Sequence, residues 1–166
     1  MTKKQEKKKS KWLSLLILLV GILAAGVIGL SIYYHLNDPS KEAMDQLKKN
    51  PPKNISNQES VLIAEYHAKY NDLTGYGSIE ELDMSEAKSL SAILEKDTNE
   101  IISRGIENKQ VSEDFKQIHA IAKATKNKAD KEQIRLIHRY FHDLDIAINQ
   151  YSDTKDVFGV TKTLGK

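Results

Sequence analysis

A chain of 166 residues, 29% charged and 40% hydrophobic, has room for one domain and little else. Its formal charge of +2 conceals a division: from residue 35 onward 22 acidic side chains outnumber 19 basic ones, a balance that argues against nucleic acid as a partner. The absence of cysteine excludes disulfides, thiolate metal sites and a lipid-modified cysteine anchor, and fits an exported protein that folds without oxidative help.

Six lysines lie between Lys3 and Lys11, and the 23 residues from Trp12 to Tyr34 then carry no charge. At about 1.5 Å per residue this run is about 34 Å long, against a hydrocarbon core of about 30 Å. It predicts a single transmembrane helix over 12–34, with Trp12 at one interface and Tyr33 and Tyr34 at the other. The basic segment 1–11 then lies in the cytoplasm against anionic membrane lipid, and everything after the helix lies outside, the layout of a bacterial signal-anchor protein. A cleaved signal peptide shares the layout, with Gly29 and Ser31 as its best cleavage site. Its apolar region usually runs about 7–15 residues, so the longer run here favours retention. Gly21, Ala25 and Gly29 form a small-residue stripe through which two such helices could associate; small residues are also common in membrane helices of every kind.

Residues 35–55 read as a juxtamembrane helix and linker, and 56–166 as an extracytoplasmic helical domain. Asp38 and Pro39 supply an N-cap and a first helical residue, and the helix from 39 to 49 must end before Pro51-Pro52. Three capping boxes follow: Ser56 with Glu59, Ser78 with Glu81, and Asp130 with Gln133. The first opens a helix carrying Leu62, Tyr66, Tyr70 and Leu73, ended by Gly75 and Gly77. Residues 84–107 place Ala87, Leu90, Leu94, Ile101 and Gly105 at helical intervals. A turn at 108–110 precedes a helix with Phe115, Ile118, Ala122 and Thr125. In the last helix Ile134, Ile137, Phe141, Leu144, Ile148 and Tyr151 make the clearest seam of all. With no alternating strand pattern of any length, the fold class is all-α: one transmembrane helix followed by a small bundle of four or five helices.

Charge is unevenly shared. Residues 80–114 hold ten acidic and four basic side chains, and 115–139 hold seven basic and two acidic, so neighbouring helices of opposite sign attract. A basic patch for anionic cell-wall polymer or lipid is the functional alternative.

On a wheel of about 100° per residue, His138, His142 and Asp145 fall together on one flank of the last seam. His119 takes the equivalent flank of the preceding helix, and an antiparallel hairpin turning near 127–129 would bring it level with His138. Three imidazoles and a carboxylate make a zinc set, bonded at about 2.0–2.1 Å. The same cluster suits a proton-sensitive contact, and ordinary helix-interface packing is the bland alternative. The HRYFH stretch lacks the glutamate that a metalloprotease of the HExxH type uses as general base. Glu80, Glu81 and Asp83 resemble a carboxylate set for sugar chemistry, yet acids at a helix start are explained by its dipole. The C-terminal stretch DVFGVTKTLGK is too apolar for a solvated tail and is expected to fold back over the bundle, with partner binding as its alternative. The sequence thus points to a non-enzymatic membrane-anchored binding or scaffold module contacting membrane lipid, another protein or a second copy of itself. A metal-binding or pH-responsive domain is the runner-up, and a cell-wall hydrolase comes third.

Overall fold

The computed structural model describes residues 3–36, 39–151 and 156–165, less the side chains of 3–12, 14–15, 32, 34–36, 39–40, 42 and 76–78. Among the described residues there are six α-helices and no strand, so the expected all-α class holds. The chain divides into two units, 1–38 and 39–166.

The first unit is helix α1, Lys3–Leu36. Its described side chains from Leu16 to Ser31 are all exposed, Val27 at 66% and Ile22 at 65% among them. Among the described residues no helix is long and apolar enough to cross a membrane. The unbroken described side chains of α1 are the sixteen at 16–31, whereas a span needs about 20. The sequence-derived span of 12–34 includes Trp12 and Tyr34, whose side chains lie outside the described residues; Tyr33 is exposed.

The second unit starts with α2, Pro39–Lys49, as the sequence predicts; Asp38, its expected cap, lies outside the described residues. Helix α3 (Asn57–Thr74) opens on the full Ser56–Glu59 capping box, each partner bonding the other's backbone amide. Its C-terminal residue Thr74 runs into a 3₁₀ turn at Gly75–Glu81. Helix α4 spans Met84–Arg104 and is capped by Asp83, which accepts from the amides of Ser85 and Glu86. The expected start at Ser78 and Glu81 is therefore corrected: a short acidic side chain with two free amides immediately ahead of it caps the helix better than a serine inside a 3₁₀ turn. Gly105 stands just past α4 at φ +90°, a conformation that disfavours any side chain. Asn108, expected in a turn, is the N-cap of α5 (Lys109–Asn127) and accepts from the Val111 amide. Asp130 caps α6 (Lys131–Asn149). The reciprocal half of that expected capping box is not made, because Gln133 accepts from the Thr125 hydroxyl instead.

Register gives the topology. Ser60, His67 and Tyr70 of α3 meet Asn149, Asp145 and Phe141 of α6; partner numbers fall as those of α3 rise, so the two run antiparallel. Gln58, Tyr66 and Tyr70 likewise meet Arg104, Asp97 and Ser91 of α4. Helices α3 to α6 form an up-and-down bundle in which α3 packs chiefly on α6 and α4 on α5. Lys126 of basic α5 pairs with Glu95 of acidic α4, joining the two oppositely charged segments. The core takes Ile63, Tyr66 and Tyr70 from α3 and Leu94 from α4, with Phe115 and Ile118 of α5 and Ile134, Ile137, Phe141 and Leu144 of α6. Each fully buried aliphatic or aromatic side chain contributes on the order of 1.5–3 kcal/mol before entropy, so the α6 seam is the largest apolar investment of any one helix here.

The C-terminal segment folds back over the bundle. Two buried carboxylates hold it by its backbone: Asp143 accepts from the amides of Phe158 (2.7 Å) and Val160 (2.8 Å). Asp114 accepts from the amides of Lys162 and Thr163 and from the Thr163 hydroxyl. Val157 and Leu164 then pack with Ile146 and Ala147 of α6 and with Ala43, Met44 and Leu47 of α2. This second, smaller core joins the helix that follows α1 to the end of the chain.

Candidate functional site

Four side chains meet where α3 crosses the second half of α6. His138 and His142 lie one turn apart on α6, as i and i+4 require, with Asp145 on the same flank. From α3 comes His67, four residues beyond the buried Ile63 and three before the buried Tyr70, and hence on the covered face of its own helix. His67 Nδ1 lies 2.7 Å from Asp145 Oδ2 with both side chains buried. The second Asp145 oxygen accepts from Asn149 at 2.6 Å. Burial pushes the Asp145 carboxyl up, but the bonds from His67 and Asn149 outweigh it and hold it below the usual carboxylate range. An ionised carboxylate only accepts, so Nδ1 of His67 carries the hydrogen.

The three imidazoles form a close group. Ring centroids lie 5.2 Å apart for His67 and His142, 5.8 Å for His67 and His138, and 6.0 Å for His138 and His142. Aromatic rings close over them: Tyr151 at 4.8 Å from His67, and Phe158 of the C-terminal segment at 4.8 Å from His142. Among the described residues Nε2 of His138 and Nδ1 of His142 are both shut off from solvent without a hydrogen-bond partner; Asp143 stands 3.7 Å from the latter, beyond bonding distance. Burial, reinforced by the neighbouring His67, His142 and Arg139, pushes the His138 imidazole down to about 4.

Of the residues expected to gather, His138, His142 and Asp145 do so and His119 does not. The His119 ring faces α4, with Nδ1 3.1 Å from the Thr98 hydroxyl and 3.2 Å from the Glu95 carbonyl oxygen. The hairpin expectation assumed that α5 and α6 are each other's main partners. The bundle instead lays α6 against α3 and α5 against α4, so the equivalent flanks point to different neighbours. Among the described residues no group of three histidine, aspartate or glutamate side chains is placed to hold a metal ion. His67 was not singled out from the sequence, because the seam drawn through Leu62, Tyr66, Tyr70 and Leu73 is rotated from the buried face of Glu59, Ile63, Tyr66, His67 and Tyr70.

Two of the three acidic side chains considered for sugar chemistry are engaged elsewhere: Glu80 pairs with Lys131 at 3.2 Å, and Asp83 caps α4. Gly21, Ala25 and Gly29 all lie on α1, with open space around the two glycines.

The unit 39–166 is thus an up-and-down helical bundle with a buried histidine cluster covered by its C-terminal segment. No protein-family model, no curated protein and no solved structure matches the chain.

Proposed function

We propose that the protein is a single-pass membrane-anchored module that displays a small helical bundle outside the cytoplasmic membrane, acting by binding or scaffolding and not by catalysis. The observation that carries this reading is the character of α1: from Leu16 to Ser31 every described side chain is exposed, and large apolar residues occur on all faces of the helix. A helix apolar all round belongs in hydrocarbon or in the interior of a large protein, and the uncharged run from Trp12 to Tyr34 has the length for the first. The lysine-rich start supplies the positive flank, with anionic lipid as its partner. Gly21, Ala25 and Gly29 supply a face for self-association.

Binding, as opposed to catalysis, is supported by the use made of the reactive side chains. Asp83, Asp114, Asp143 and Asp145 all serve caps, backbone amides or His67, and two of the imidazole nitrogens are closed to solvent. Membranes washed with alkaline carbonate test the anchor. The protein is expected to stay in the pellet, and substituting Leu19 and Leu23 of α1 by Lys is expected to move it to the supernatant. Cross-linking in membranes before purification would then name the partner; release of the unaltered protein by the wash would refute the reading.

A further inference from the structure

We propose that His67, His138 and His142 form a proton-operated latch: charging the cluster releases the C-terminal segment 156–165 from the bundle and frees α2 from its apolar seat. The device rests on what closes the cluster. Phe158 lies against His142 and, at 6.2 Å, against His138, yet it is itself 47% exposed, so the cover over the histidines is thin. The strand of chain that carries Phe158 has no helix of its own before Lys162. It is held by backbone N–H hydrogen bonds to Asp143 and Asp114 and by the small core with α2.

Protonation turns every imidazole nitrogen into a donor. Among the described residues neither Nε2 of His138 nor Nδ1 of His142 has an acceptor within bonding distance, and an unmet charged donor shut away from water is costly. Among the described residues the Tyr151 phenol ring lies against His67 and His142, and three charged groups of α6 face the cluster. Asp145 is committed to His67, Asp143 stands 3.7 Å from His142, and Arg139 lies beside His138, over the Phe158 ring at 5.3 Å. Two carboxylates thus offset two rings, and His138 meets a cation instead. Burial first, and then the neighbouring His67, His142 and Arg139, lower the affinity of His138 for protons. Water reaches the rings most easily by lifting Phe158, which also breaks the hydrogen bonds from the Phe158 and Val160 amides to Asp143. A His142 imidazolium competes for the same Asp143 carboxylate and weakens those bonds further. Since Val157 and Leu164 seat Ala43, Met44 and Leu47, lifting the segment exposes an apolar face of α2.

Hydrogen–deuterium exchange on the full chain in detergent micelles, corrected for intrinsic rates, tests the latch at about pH 7.5 and about pH 5, either side of the ordinary histidine range. Protection of the amides of Phe158, Val160, Lys162 and Thr163 is expected to fall by at least about tenfold at the lower pH, while the centres of α3 to α6 stay protected. In His138→Gln, which cannot titrate, that loss is expected to shrink to a small fraction, with His142→Gln as the second variant should the first fail to fold. Unchanged protection in the natural chain overturns the proposal. So does an equal loss in both variants, which would assign the release to Asp114 or Asp143.

Discussion

Asp114 and Asp143 show how much can rest on single buried side chains. Asp114 is 1% exposed and receives three donors from a segment almost fifty residues away. Burial lifts its carboxyl above the ordinary range, against the opposing bonds from Thr163 and the amides of Lys162 and Thr163. Bonds to charged acceptors are each worth about 1.5–3 kcal/mol, and stranding their donors costs more than the bond itself. Asp114→Ala is therefore expected to lower unfolding free energy by about 2–4 kcal/mol in denaturant titration, with the C-terminal amides losing protection first. His138 sets a pH dependence of the opposite kind from a salt-bridged histidine. Its folded affinity for protons lies near 4, below the ordinary 6.5, so between those values the unfolded chain binds more protons. Stability is then complete above about pH 6.5 and drains away as the pH falls toward about 4, by on the order of 2–3 kcal/mol. His138→Gln is expected to flatten that slope, and equal slopes in both proteins would contradict the assignment. At this scale the sequence was half legible: the spacing of His138, His142 and Asp145 forecast a shared flank, but nothing local told which helix covers it, and so His119 stood where His67 belongs.

At the scale of elements the chain obeys its local signals wherever a signal has no rival. Ser56 with Glu59, Asp130, and the pair Pro39 and Pro51 bounded helices where the sequence placed them. Ser78 with Glu81 had a rival five residues on, and the two amides held by Asp83 decided the matter. Asp83→Ala is expected to cost about 1 kcal/mol in thermal or denaturant unfolding and Ser78→Ala less than about 0.5 kcal/mol; the reverse ranking would restore the earlier start. The C-terminal segment carries more. Its apolar residues forecast a fold-back, which the backbone hydrogen bonds to Asp114 and Asp143 hold in place. Deleting residues 157–166 removes the Phe158 cover, the donors to both carboxylates and half of the smaller core. The melting temperature is expected to drop by about 5 °C or more, since 1 kcal/mol shifts a domain of this size by about 2–8 °C. An unchanged melt would mean that the segment contributes nothing to the fold.

Considered whole, the molecule joins a bundle with a buried core of its own to a helix whose described side chains from Leu16 to Ser31 are exposed and uncharged. Hydrophobic periodicity made the class, the number of helices and most of the core legible, because a 3.6-residue repeat is written into each helix separately. Pairing was not legible, since the choice of α3 for α6 and α4 for α5 depends on complementary surfaces that no single repeat records. The proposed anchor rests on a third kind of information, the length and purity of one apolar run and the lysines before it. The lack of cysteine in the chain makes the topology of that anchor directly measurable. Ser103→Cys places a thiol on the exposed end of α4, and Ser10→Cys places one in the lysine-rich start. A membrane-impermeant maleimide applied to intact cells is expected to label the first and to reach the second only after permeabilisation. Labelling of Ser10→Cys in intact cells with Ser103→Cys protected, or recovery of both proteins in the soluble fraction, would contradict a helical bundle displayed outside the membrane.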